Sequence, residues 1–138
     1  MCTINSSANP EQRMHQTHTE TRQATRHCLK KGFIAFGSEN FCEIVNISQT
    51  GIAIEYMAHK NDEVMDMSEI HLINNLEGYL LGQLSCATVY TSDTPLSPTD
   101  NFTVLRRMGM QFISMDENQQ SQLSNLLDNY STGEYSVH

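Results

Sequence analysis

The chain has 138 residues, 38% hydrophobic and 17% charged, with a formal net charge of −8. That composition suits one domain with one core and is too apolar for a wholly disordered chain. The acidic balance argues against general binding to DNA, RNA or anionic membrane, because phosphate polymers reward positive charge, and it leaves room for a small anion at a local basic patch.

Residues 1–20 are mostly Ser, Thr, Asn, Gln and His and read as a flexible N-terminal arm. The opening "MCTINSSANPEQR" lacks the apolar core of a signal peptide. No apolar run approaches the ~20 residues of a membrane span. A cytoplasmic protein with no membrane insertion and with free thiols is expected. Cys2, Cys28, Cys42 and Cys86 are widely spaced, and His15 and His18 sit in a polar stretch, so no metal site is expected.

From residue 27 the pattern is that of strands. "GFIAFG" is a short run of β-formers closed by glycines, followed by a turn at "SEN" and by "FCEIVNI". "SQTG" turns the chain again into "IAIEYM", where Ile52, Ile54 and Tyr56 alternate with Ala53 and Glu55. "HKNDEVMDMS" is a polar connection and "EIHLIN" a weaker strand. "GYLLGQLSCATVYT" is long and mostly apolar, with Gly82 marking a bulge or bend. "SDTPLSPTDN", with two prolines, reads as a loop joining a hairpin. "FTVLRRMGMQFIS" alternates again, with Phe102, Val104, Met108, Met110 and Phe112 on one face together with Arg106. The several methionines here and nearby fit a methionine-rich core.

The last segment changes period. Ser114 and Glu117 match a capping box; Leu123, Leu126, Leu127 and Tyr130 recur at helical spacing, and Gly133 is a stop signal. The fold class expected is mainly β: a six-stranded antiparallel barrel with a C-terminal α-helix, closed so that no sheet edge is left open. The divisions expected are 1–20 arm, 21–132 domain and 133–138 C-terminal tail.

The stretch "TRQATRHCLKK" holds Arg22, Arg26, Lys30 and Lys31, four of the chain's eight basic residues. Arg22 and Arg26 make R-x-x-x-R just before the first strand. Asn46, Ser48 and Gly51 make N-x-S-x-x-G twenty residues after Arg26. Each pattern alone is ordinary: a solvated basic face and a strand–turn–strand. If the first two strands form a hairpin, both patterns meet at one edge of the sheet. Guanidinium forks match phosphate oxygens and the O6/N7 edge of guanine, and their planes stack on purines. An amide and a hydroxyl beside them can meet a base edge.

This pair of motifs resembles the PilZ domain family, over about residues 20–132. "RQATR" and "NISQTG" match its two motifs, and "RRMGMQF" is similar to its late Arg-x-Gly-x-x-Phe segment, here ahead of a helix. The resemblance implies a six-stranded barrel and binding of the bacterial second messenger cyclic di-GMP. It implies that Arg22 and Arg26 hold phosphate and guanine, that Asn46 and Ser48 contact a guanine edge, and that Gly51 permits the turn and a close approach. Arg106 or Arg107 is a secondary candidate for the pocket, and Gly109 a candidate for bending the barrel. Thr21 stands where many members carry one more arginine, which leaves both one ligand molecule and a stacked pair open. Asn46 stands where others have Asp, so its contact to the base carries no charge.

The function expected is a stand-alone cyclic di-GMP receptor or adaptor. The arm clamps the ligand against the barrel and alters a surface read by an unidentified partner protein. The alternative is a PilZ-like interaction module of a motility or pilus system that does not bind the nucleotide; such members typically lack the arginines. No nucleophile elbow, P-loop or HExxH is present, so no enzyme, cofactor or metal is expected.

Overall fold

A computed structural model describes residues 25–136. Eight strands and one helix follow in order: β1 (His27–Leu29), β2 (Ile34–Gly37), β3 (Asn40–Ile47), β4 (Gly51–His59), β5 (Glu69–Asn74), β6 (Tyr79–Ser97), β7 (Asp100–Ile113), α1 (Glu117–Tyr130) and β8 (Ser131–Glu134). All pairings are antiparallel, in the order β2-β5-β6-β7-β4-β3, and β2 pairs back onto β3. Six strands therefore close a ring, as their hydrophobic alternation predicts. β1 and β8 extend it: β1 lies along the same edge of β3 as β2, meeting it at His27↔Ile47, and β8 pairs with the outer side of β1.

Alternation fills the ring. Ala35, Cys42, Ile47, Ile52, Ile54, Leu72, Leu81, Met108 and Met110 all point inward and are buried. Met67, Met108 and Met110 are core residues, with Met65 and Met115 packed against them, as the methionine-rich pattern predicts. Leu123, Leu126 and Leu127 of α1 add to the same core. At the helix's far end Phe33, Tyr79 and Tyr130 form an edge-on trio with ring centroids 5.2–5.7 Å apart. Such pairs favour a fixed mutual geometry beyond simple burial, so the trio anchors the helix where β1 gives way to β2.

Four local expectations change. The helix is capped by Asp116, not Ser114: the Asp116 carboxylate accepts from the Gln119 amide at 2.7 Å, and the Gln119 side chain accepts from the Asp116 amide at 3.1 Å. Ser114 has φ 55° and is still turning out of β7. The helix ends at Tyr130, and Gly133 lies in β8 with its amide donating to the Ser131 hydroxyl. The residues read as a tail from 133 thus continue the sheet through Glu134. "SDTPLSPTDN" is mostly strand: β6 and β7 run on as a long ribbon, paired as far as Ser97↔Asp100. Among the described residues no strand pairs with the other edge of β6 along residues 89–97, so Pro95, which has no amide hydrogen, sits there without breaking the sheet. Phe102 lies on this ribbon, past the core, and is 68% exposed.

Cysteine chemistry also divides. Cys42 and Cys86 are free and buried, and burial pushes their thiols up to about 11 and about 12. Cys28 departs from the free-thiol expectation: it is disulfide-bonded. Among the described residues no helix is long and apolar enough to cross a membrane.

Candidate nucleotide site

Two β-bulges decide what the outer wall of the ring displays. In β3 the register against β4 runs Glu43↔Glu55, Ile44↔Ile54, then Asn46↔Ala53, Ile47↔Ile52. Ile44 packs inward, so without the extra residue Val45 Asn46 would point inward too. The bulge flips it to the outer face. In β6 the register against β7 skips from Thr88↔Met110 to Tyr90↔Gly109, and the second bulge, at Val89, does the same for Tyr90. A single outward row results across four strands: Asn46, Ala53, Gly109, Tyr90. The two central members are small, and in this conformation they and Asn46 are buried, Asn46 at 6% and Ala53 at 3% exposed. The Tyr90 ring lies over Gly109, where a Cβ would collide with it.

Arg26 stands at the amide end. Its Nη1 donates to Asn46 Oδ1 at 3.1 Å, and its Nη2 lies 3.4 Å from where a Gly51 Cβ would be. The second arginine of R-x-x-x-R and both ends of N-x-S-x-x-G therefore meet. β1 brings this about: the antiparallel pair His27↔Ile47 carries Arg26 to the end of β3, from where its side chain reaches across to Asn46. Arg22 lies outside the described residues.

Ser48 plays a different part in this conformation. It is fully buried, and its hydroxyl accepts from the amides of Thr50 (3.1 Å) and Gly51 (3.2 Å). The Ser48 amide donates to the Gly51 carbonyl at 2.8 Å. The serine shapes the β3–β4 turn that carries Gly51. Gly51 has to be glycine because a Cβ would press on the Met110 carbonyl.

The two adjacent arginines of β7 separate by parity. Arg107 faces outward, in the row next to Gly109. Its Nε and Nη2 donate to one oxygen of Glu55 at 2.8 and 2.5 Å, and its Nη1 to the Tyr135 hydroxyl at 3.2 Å. Burial works against the Arg107 charge, and Glu55 and Tyr135 outweigh it, so its pKa is raised. Arg106 faces inward and is 3% exposed. Its Nε and Nη2 reach both oxygens of Asp93 at 2.7 and 3.0 Å, and it donates further to the carbonyls of His59, Lys60, Asp62 and Glu63. These bonds tie the ribbon to the 59–63 connection. Arg106 thus lies on the opposite face of β7 from the Asn46 row. Its hydrogen bond holds the Asp93 carboxyl below the usual range.

Three residues join the site that the motifs do not name: Glu55, Tyr90 and Tyr135. The Tyr135 amide donates to the Arg26 carbonyl at 2.9 Å while its hydroxyl meets Arg107. It thereby links the two arginines. Glu55 is foreshadowed by its alternation in β4; Tyr90 and Tyr135 depend on a bulge and on a four-residue strand.

No protein-family model matches the chain, and no curated protein matches it. Among solved structures it is similar to the PilZ domain with c-di-GMP of YcgR from Escherichia coli. The TM-score is 0.58 at 12% sequence identity, covering 79% of this chain and 91% of that one. The fold is a PilZ fold. The six-stranded ring with its C-terminal helix is the architecture that the resemblance implies.

Proposed function

We propose that this PilZ-fold chain is a non-catalytic receptor or adaptor for cyclic di-GMP, held on the outer wall of the ring. The observation carrying this reading is the 3.1 Å bond from Arg26 to Asn46 beside Gly51, which unites two motifs twenty residues apart. In the bound state Arg26, with Arg22 from the preceding segment, turns to a phosphate and a guanine edge. The Asn46 amide, released from Arg26, meets the base. Ala53 and Gly109 are small but buried in this conformation, with the Tyr90 ring over Gly109, so a flat ring is admitted there when the Tyr90 ring swings aside; Arg107 bounds the same wall. Charge-assisted bonds are worth about 1.5–3 kcal/mol against ~1 for neutral ones, so two arginine–phosphate contacts contribute several kcal/mol towards a micromolar site, near −8 kcal/mol. Closure of the segment before Arg26 over the ligand then changes a surface available to a partner protein.

Isothermal titration with cyclic di-GMP checks this. Wild type should bind, and Arg26→Ala and Asn46→Ala should each weaken binding at least tenfold while leaving the melting temperature nearly unchanged. Wild-type affinity in both variants would refute the site. A second reading, an interaction module that does not bind the nucleotide, is favoured by the enclosed Ser48 hydroxyl. The absence of any heat or thermal shift with cyclic di-GMP would select it.

A further inference from the structure

The wall on the other side of the ring, formed by β3, β2, β5 and β6, departs from ordinary alternation. Its inward row, Cys42, Ala35, Leu72, Leu81, is buried as expected. Its outward rows are also apolar. One runs Glu43, Ile34, Ile73, Leu80 and the other Phe41, Phe36, His71. Phe41 and Leu80 are 63% and 65% exposed. The Phe36 ring centroid lies 4.7 Å from that of Phe41 and 6.3 Å from that of His71. A contiguous apolar patch facing water marks an interaction surface.

Two further observations say what covers it. A shallow cleft of about 190 Å³ opens at the patch's edge, and Phe36, His71, Asp66 and Glu69 are among the residues that line it. An aromatic floor beside two carboxylates suits a long cationic side chain, whose methylene stem lies on the ring while its head reaches the acids. The wall itself carries no Lys or Arg. Between Gly32 and Leu105 the sequence has one Lys or Arg, Lys60, and two histidines, His59 and His71, while Glu39, Glu43, Asp66 and Glu69 belong to this wall or its borders. A second copy of the chain would set acidic borders against each other, and like-charge juxtaposition disfavours it.

We infer that this wall docks a basic amphipathic segment of a partner protein, its apolar face on Ile34, Ile73, Leu80 and Phe41 and one Lys or Arg in the cleft beside Phe36. The inference stands independently of nucleotide binding. The chain has no tryptophan, so a synthetic helical Leu–Lys peptide carrying one Trp gives a clean fluorescence readout. The peptide should show a blue shift and saturable binding to wild type, and a Leu–Glu peptide of equal length should show neither. Phe41→Ser combined with Leu80→Ser should weaken binding at least tenfold, and so should Glu69→Lys. Asp128→Lys, on the exposed face of α1, makes the same change in net charge and should have less than a twofold effect; Arg26→Ala should leave binding unchanged. Both Phe41 and Leu80 are exposed, so the double variant should fold, checked by its melting curve. No binding, equal binding of the Leu–Glu peptide, or equal loss with Asp128→Lys would overturn the docking surface. So would dimerisation through this wall in sedimentation.

Discussion

Arg106 and Arg107 are neighbours in sequence and belong to different regions of the molecule. Arg106 is enclosed at the foot of the β6–β7 ribbon with Asp93 and the carbonyls of the 59–63 connection; Arg107 lies on the outer wall with Glu55 and Tyr135, one row from Gly109. Same side chain, same strand, opposite faces: the period of two assigns one to holding the fold and the other to the partly exposed outer wall. A basic pair in a sequence is therefore no measure of a binding patch until the strand's parity is known.

The largest expected difference is in stability. Arg106→Ala strands buried carbonyls and should lower unfolding free energy by roughly 2–3 kcal/mol in urea titration. Arg107→Ala, at a partly exposed pair, should cost less than about 1 kcal/mol. Equal losses would erase the distinction. A middle-sized effect is expected on the outer wall alone. Gly109→Ala puts a Cβ where the Tyr90 ring lies, so the half-exposed ring must swing aside. Cyclic di-GMP affinity should fall several-fold with little change in the urea midpoint, and an unchanged affinity would place the ligand away from Gly109. The smallest effect is on the pH dependence of the inner region. The Asp93 pKa is lowered by its bond to Arg106. The stability this carboxylate contributes is therefore present above its unfolded value of about 3.9 and lost as pH falls through the lower folded value. Melting temperatures of wild type and Asp93→Asn should converge as pH drops from 5 towards 2; a constant gap would contradict the link.

Much of the fold was legible because each ring strand carries its own alternation. "IAIEYM" and "FTVLRRMGMQF" keep the period that buries Ile52, Ile54, Met108 and Met110. β1 and β8 were not, being three and four residues long and defined by their partners. The ribbon was hidden by prolines that an open edge tolerates. Within the site, the meeting of Arg26 and Asn46 was foreshadowed by motif spacing and the hairpin between them. The outward turn of Asn46 and the arrival of Tyr90 were not, because a bulge is a property of two strands in register. Arg106 and Arg107 were indistinguishable for the same reason.

The amide of Tyr135 is hydrogen-bonded to the carbonyl of Arg26, so the backbone arrives at and departs from the candidate site through adjacent strands. A fluorophore, a second module or a tether placed directly at Arg26 or directly at Tyr135 would pull on the same few ångströms of wall. That makes the protein a natural starting point for circular permutation or for a two-colour proximity sensor, in which occupancy of the wall is read as a change in the separation of its flanks.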